Sequence, residues 1–281
     1  MNVATKLAGF AAGLVVVGGA AAAVGAAVGP APQRDEAPAA MGEHEAMPAA
    51  DPVRGLAVSQ DGLRLVVDRR TLPAGRTAPL TFRVVDEQGA TVRDFDVEHT
   101  KRMHLIVARR DLTGFHHLHP TQRPDGSWTT PIRVADPGAY RMFADFSHDE
   151  TPVTLGTDLA VDGAATARAL PAPAPAATSD GGDEVRLDET GARPGQEATL
   201  RFTITRDGRP ADLQPYLGAG GHLVALREGD LAFLHVHPVE TEGDRIAFAA
   251  TFPTAGRYRL FLQYRVDGQV RTAAFTQEVA E

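Results

Sequence analysis

Histidine is the residue with chemical capacity in this chain, and its placement follows a repeat. Ten histidines occur in 281 residues. His104, His117 and His119 recur 118 positions later as His222, His235 and His237, with Phe115 matched by Phe233 and Pro120 by Pro238. Side chains alternate along an extended strand, so the two rings of His117-Leu-His119 share one face, as do those of His235-Val-His237. His104 and His222 open the preceding strands. If each hairpin pairs even with odd numbers, His104 joins the face of His117 and His119 while Leu105, Val107 and Leu118 turn to the core. The apolar pattern favours that register, because a slip of one residue would turn every side chain over. Cross-strand neighbours lie about 5 Å apart at Cβ and diagonals about 7–8 Å, within reach of one ion.

Neutral imidazole suits Cu(II), Zn(II) and Ni(II), and three protein ligands leave a position open for water. The expectation is one three-histidine site in each repeat, for copper or alternatively zinc, with no organic cofactor. Met103, His116, His99 and His148 are weaker candidates beside the first site. Met103 offers a thioether, although strand alternation aims it away from the His104 face. The second copy has Gly220 and Gly221 in that neighbourhood. The alternative is a structural cluster whose histidines shape a surface without metal. A hydrolase with three histidine ligands would need a carboxylate base, for which Asp145 and Glu242 are the candidates. A cupin reading meets Gly229, His235, His237 and Glu242 in the second copy, but the first copy lacks the glycine and the glutamate, and neither holds a second cupin motif. The chain therefore reads as a non-enzyme.

The rest of the composition narrows the choice. There is no cysteine, which excludes disulfides, thiolate zinc sites, iron–sulfur clusters and a blue-copper centre. The net charge of -8 argues against a nucleic-acid surface, which rests on clustered Lys and Arg. No Walker, dinucleotide or G-x-S-x-G pattern is present.

The elements that must hold these histidines read as strands. Leu80, Phe82 and Val84 alternate with Thr81 and Arg83, and Leu200, Phe202 and Ile204 alternate with Arg201 and Thr203. Short period-two runs cut by Gly and Pro predict an all-β fold of two tandem immunoglobulin-like β-sandwich domains. Tyr140 and Tyr258 stand where such domains carry a tyrosine corner. Domain one spans 53–163 and domain two 183–281. Between them, 164–182 carries Pro171, Pro173 and Pro175 and reads as a semi-rigid linker. Residues 1–29 form a membrane anchor or signal segment. Leu7 to Gly29 lacks any charge and is long enough to span, and Lys6 places the N-terminus inside. The expected location is the cell membrane, single-pass and with the bulk extracytoplasmic, or secreted if the segment is cleaved. Residues 30–52 read as a disordered stalk, in which Met41, His44 and Met47 read either as part of a random polar tail or as a soft donor set suited to Cu(I).

The paired His-Leu…Phe-x-His-x-His-Pro blocks, each followed by Gly-x-Tyr-Arg, resemble the YtkA-like/FixH-like exported bacterial β-sandwich proteins over about residues 60–281. Relatives of that kind are often labelled heavy-metal- or copper-associated secreted proteins. The resemblance implies an immunoglobulin-like fold in each half, copper handling through the six repeated histidines, and partners among copper-handling proteins of the envelope. The expected role is metal sequestration or delivery.

Overall fold

A computed structural model of the chain describes residues 53–188, 191–234 and 236–281. The anchor, the stalk with Met41, His44 and Met47, and His235 lie outside the described residues. Among those described, every named element is a strand, and no helix is long and apolar enough to cross a membrane.

Domain one is built from β1 (Ser59–Gln60), β2 (Leu63–Val67), β3 (Thr71–Leu72), β4 (Thr77–Val85), β5 (His104–Arg109), β6 (Phe115–Leu118), β7 (Thr121–Gln122), β8 (Trp128–Arg133), β9 (Gly138–His148) and β10 (Thr151–Val161). One sheet runs β1-β2-β4-β8-β7 and the other β3-β10-β9-β5-β6. Domain two is built from β11 (Ala176–Thr178), β12 (Glu184–Asp188), β13 (Glu197–Arg206), β14 (Arg209–Pro210), β15 (Gly221–Arg227), β16 (Phe233–Leu234), β17 (Val236–Glu242), β18 (Arg245–Thr251), β19 (Gly256–Val266) and β20 (Gln269–Val279). Its sheets run β11-β12-β13-β18-β17, with β14 against β13, and β16-β15-β19-β20. Two tandem all-β sandwiches are the observed fold.

The period-two runs work as their spacing demands. Leu80, Phe82 and Val84 are 0–1% exposed, and so are Leu200, Phe202 and Ile204. Each such side chain contributes roughly 1.5–3 kcal/mol by leaving water. Trp128 is buried edge-on to Phe95, with ring centroids 5.3 Å apart, and Met142 is core. Both tyrosine corners form. The Tyr140 hydroxyl donates to the Asp136 carbonyl at 2.8 Å, and that of Tyr258 to Thr254 at 2.8 Å.

The two domains share a third apolar cluster. Ile106, Ala108 and Phe143 from domain one meet their counterparts Val224, Leu226 and Phe261. Phe115 stacks on Phe261 with centroids 4.0 Å apart, and reciprocally Phe233 meets Phe143 at 5.6 Å. Contacts that interchange under the repeat define a pseudo-two-fold, the internal equivalent of an isologous dimer interface.

The segment between the domains is fastened. Buried Arg109 is ion-paired to Asp111 and donates to the carbonyls of Pro137 and Thr166, both within 3.1 Å. The Arg168 amide donates to Asp111 at 2.9 Å, and Leu170 is buried in the shared cluster. Ala176–Thr178 already pairs with β12, because Ala177 packs on the core of domain two.

Candidate metal centre

Register places the histidines first. Across β5 and β6, Leu105 faces Leu118 and Ile106 faces His117. Directly opposed residues point to one side, so His104, Ile106 and His117 share a face, and Leu105, Val107 and Leu118 line the core of domain one. This is the even-with-odd pairing expected from the sequence. What the sequence did not show is that the histidine face is turned towards domain two, because Ile106 and Ala108 on that same face build the interdomain cluster.

His222 therefore arrives from the facing sheet. One ligand atom each of His104, His117 and His222 lies within 4.8 Å of the others. His104 and His222, which are repeat counterparts, stack with centroids 5.4 Å apart and planes 5° off parallel. A residue meeting its own counterpart sits near the pseudo-axis. The His119 ring lies 5.0 Å from His104 and 4.8 Å from His117, and the His119 Nε2 is buried without a hydrogen-bond partner. The His99 ring is 5.7 Å from His222 and 6.1 Å from His104.

Hydrogen bonding sets the tautomers. His104 Nε2 lies 3.3 Å from the Glu98 carbonyl, which can only accept, so Nε2 carries the proton and Nδ1 is bare. His117 Nδ1 lies 2.7 Å from Gln263 Oε1, and the Gln263 amide nitrogen faces Thr272 Oγ1 at 3.4 Å. With this amide orientation His117 Nε2 is also bare, whereas the amide turned over would place the proton on Nε2. The two bare nitrogens face each other at 3.1 Å. An ion bound to both at 2.0–2.1 Å would subtend about 95–102°, close to the angles of tetragonal and tetrahedral sites. Nitrogens on one ion stand at most about 4.2 Å apart, so the 4.8 Å group closes by side-chain rotation of about an ångström.

Charge state agrees with ligand duty. Burial pushes the His104 imidazole down to about 4, with the charge of neighbouring His119 adding to the effect. Burial and then Lys101 take His119 to about 4. His117 and His222 are driven well below the ordinary range by burial, then by each other's neighbours in the cluster. Neutral imidazole is the metal-binding form.

The turn that carries His99 is strained. Glu98 and Lys101 exchange two backbone hydrogen bonds of 2.8 Å around His99 and Thr100, whose φ angles are 45° and 68°. Such a two-residue turn favours Asn-Gly, and a β-branched residue at positive φ is an outlier. The counterpart turn in domain two uses Leu217 and Gly218, where glycine carries the second positive φ without cost. Domain one tolerates strain where the turn supplies the Glu98 carbonyl to His104 and sets His99 beside the cluster.

The remaining sequence candidates lie elsewhere. His237 is exposed on β17, opposite Ala249 of β18; the chain changes sheets after β16, so His237 does not share a hairpin face with His222. His116 lies on the other face of β6, opposite Val107, and burial lowers its imidazole. Met103 is 1% exposed in the core of domain one. His148 donates from Nδ1 to the Asp94 carbonyl at 3.0 Å. Asp145 accepts from Thr154 at 2.6 Å, and burial raises its carboxyl to about 6. Glu242 closes β17. Sequence reading missed Gln263. Its signal was the repeat itself, since Gln263 stands 118 positions after Asp145, facing His222 across β15 and β19 as Asp145 faces His104.

A family model described as a domain of unknown function, DUF8832, matches residues 57–163 and again 177–281. No curated protein matches the chain. Solved structures with a similar course include the Escherichia coli adhesin FdeC, at 16% identity over 80% of this chain and 66% of that one, with a TM-score of 0.27. Domains 4 and 5 of the S-layer protein SbsC match at 16% identity over 80% of this chain and all of that one, with a TM-score of 0.24.

Proposed function

Because the chain belongs to the DUF8832 family as two tandem copies of a domain of unknown function, its role has to be read from its own residues, and we propose that it binds one transition-metal ion, copper foremost and zinc next, between its two domains. The observation that carries this reading is the convergence of His104, His117 and His222, from both repeats, within 4.8 Å. Three neutral nitrogen donors suit Cu(II), which heads the divalent series for such ligands. The bare nitrogens of His104 and His117 lie 3.1 Å apart, and the buried, unpartnered His119 Nε2 is a fourth donor at the same place. The role proposed is sequestration or delivery rather than catalysis. It belongs to an extracytoplasmic chain held at the membrane by the N-terminal segment, working with copper-handling envelope proteins, as the YtkA-like/FixH-like resemblance suggests.

Calorimetric titration of the purified chain with Cu(II), Cu(I) and Zn(II) tests the reading. One ion per chain is expected, abolished by His222→Ala and equally by His117→Ala, since the site needs both domains. Failure of the wild-type chain to bind any of the three, or undiminished binding by the His222 variant, would overturn it. A second reading, a structural envelope module without metal, draws on the apolar seam that already joins the domains. It expects no binding and is separated by the same titration.

A further inference from the structure

The tautomer of His117 depends on a single side chain contributed by the other domain. Gln263 is 7% exposed and reaches His117 Nδ1 with Oε1 at 2.7 Å while its amide nitrogen faces Thr272 Oγ1 at 3.4 Å. In this orientation His117 Nδ1 donates and Nε2 presents its lone pair to His104 Nδ1, 3.1 Å away. With the amide turned over, the nitrogen donates to Nδ1, so Nε2 carries the proton and donates to His104 Nδ1. The relay then ends with His104 Nε2 donating to the Glu98 carbonyl, and the Thr272 hydroxyl serves either state because it both donates and accepts. The first arrangement is open to an ion; the second satisfies every group and closes the site. At the equivalent place domain one has Asp145, a carboxylate, likewise bonded to its threonine, Thr154. An ionised carboxylate only accepts, so it could serve the first state alone.

We propose that Gln263 is the positioning residue of the centre, an amide that flips between a closed, metal-free relay and an open arrangement in which His117 Nε2 is a ligand. The proposal rests on the metal reading for its consequence but not for its measurement. Metal ligands are commonly oriented by a partner on the second ring nitrogen, and loss of that partner typically costs 10–100-fold in affinity.

Nitrogen-15 NMR of the full chain reads the Nδ1 proton of His117 directly, with and without Zn(II), and calorimetry reads the affinity. In the metal-free wild type, Nδ1 of His117 is expected to be bare, and saturating Zn(II) should protonate it. Gln263→Glu should protonate Nδ1 without metal and bind Zn(II) at least about tenfold more tightly, as an acceptor-only partner favours the open state. Gln263→Met, similar in size but without an acceptor, should weaken Zn(II) binding about 10–100-fold. Equal weakening by both variants, or a His117 tautomer indifferent to residue 263, would overturn the proposal and leave Gln263 a packing residue. If the wild type binds no Zn(II) while the tautomer still follows residue 263, the metal reading fails and the positioning role stands.

Discussion

Acid should loosen the metal-free chain through its buried histidines, and His104 allows the size to be worked out. Its imidazole is 3% exposed and falls from 6.5 to about 4 on folding. Above pH 6.5 it is neutral in both states and contributes no pH dependence. As pH falls from 6.5 to 4 the unfolded chain takes up a proton that the folded chain refuses, so stability drops across that window and levels off below it. At pH 5 this group alone costs about 2 kcal/mol. His117, His119, His222 and His116 are shifted in the same direction. Asp145 opposes them. Its carboxyl is raised to about 6, so the folded state binds a proton first and gains about 1 kcal/mol at pH 5. A His104→Asn variant separates these contributions while keeping an amide near the Glu98 carbonyl. Urea unfolding of chelator-treated protein at pH 7 and pH 5 should show a marked loss in the wild type. The loss should be smaller in the variant by about 2 kcal/mol, the contribution of His104 itself. A wild-type stability that is flat between these pH values, or a variant with the same loss, would refute the buried neutral cluster.

Thr100→Gly should relieve the positive φ of the His99 turn and raise stability by roughly 0.5–1 kcal/mol, net of the entropy glycine adds to the unfolded chain, as read by thermal melting. Phe115→Ala should remove the ring stacked on Phe261 and cost about 3 kcal/mol. Because that contact joins the domains, calorimetric melting should split from one transition into two, and metal binding should weaken with it.

The sandwich fold was legible because the period-two runs and the tyrosine corners are local signals. Leu80, Phe82 and Val84 declare a buried face wherever the strand lies, and Tyr140 bonds a carbonyl four residues away. The hairpin register of His104 and His117 was legible for the same reason, through Leu105, Val107 and Leu118. What lay beyond the sequence was the use of the outer face. Ile106 and Ala108 alternate with core residues as solvent-facing positions would, yet they are 0% exposed, because a second sheet covers them. That covering surface comes from more than 100 residues downstream, and no local pattern reports it. The sheet change after β16, which takes His237 away from His222, is likewise a matter of pairing partners rather than of residue type.

Duplication explains why the described histidines of the cluster meet at one place. When two copies dock through equivalent faces, residues near the axis meet their own counterparts, as His104 meets His222, while residues off the axis make reciprocal pairs, as Phe115 with Phe261 and Phe233 with Phe143. A motif that lies across such an axis gives a shared centre rather than two copies of one. The symmetry is then broken where the two copies reach that centre from opposite sides. Domain one supplies the strained turn of His99 and Thr100 where domain two has Leu217 and Gly218, and domain two supplies an amide at 263 where domain one has the carboxylate of Asp145. A purely structural seam would be served by two identical halves. Divergence at the turn and at the partner of His117, with the apolar seam between them left matched, fits the proposed centre, at which the halves do different work: one presents His104 and His117, and the other adds His222 and, through Gln263, sets the proton on His117.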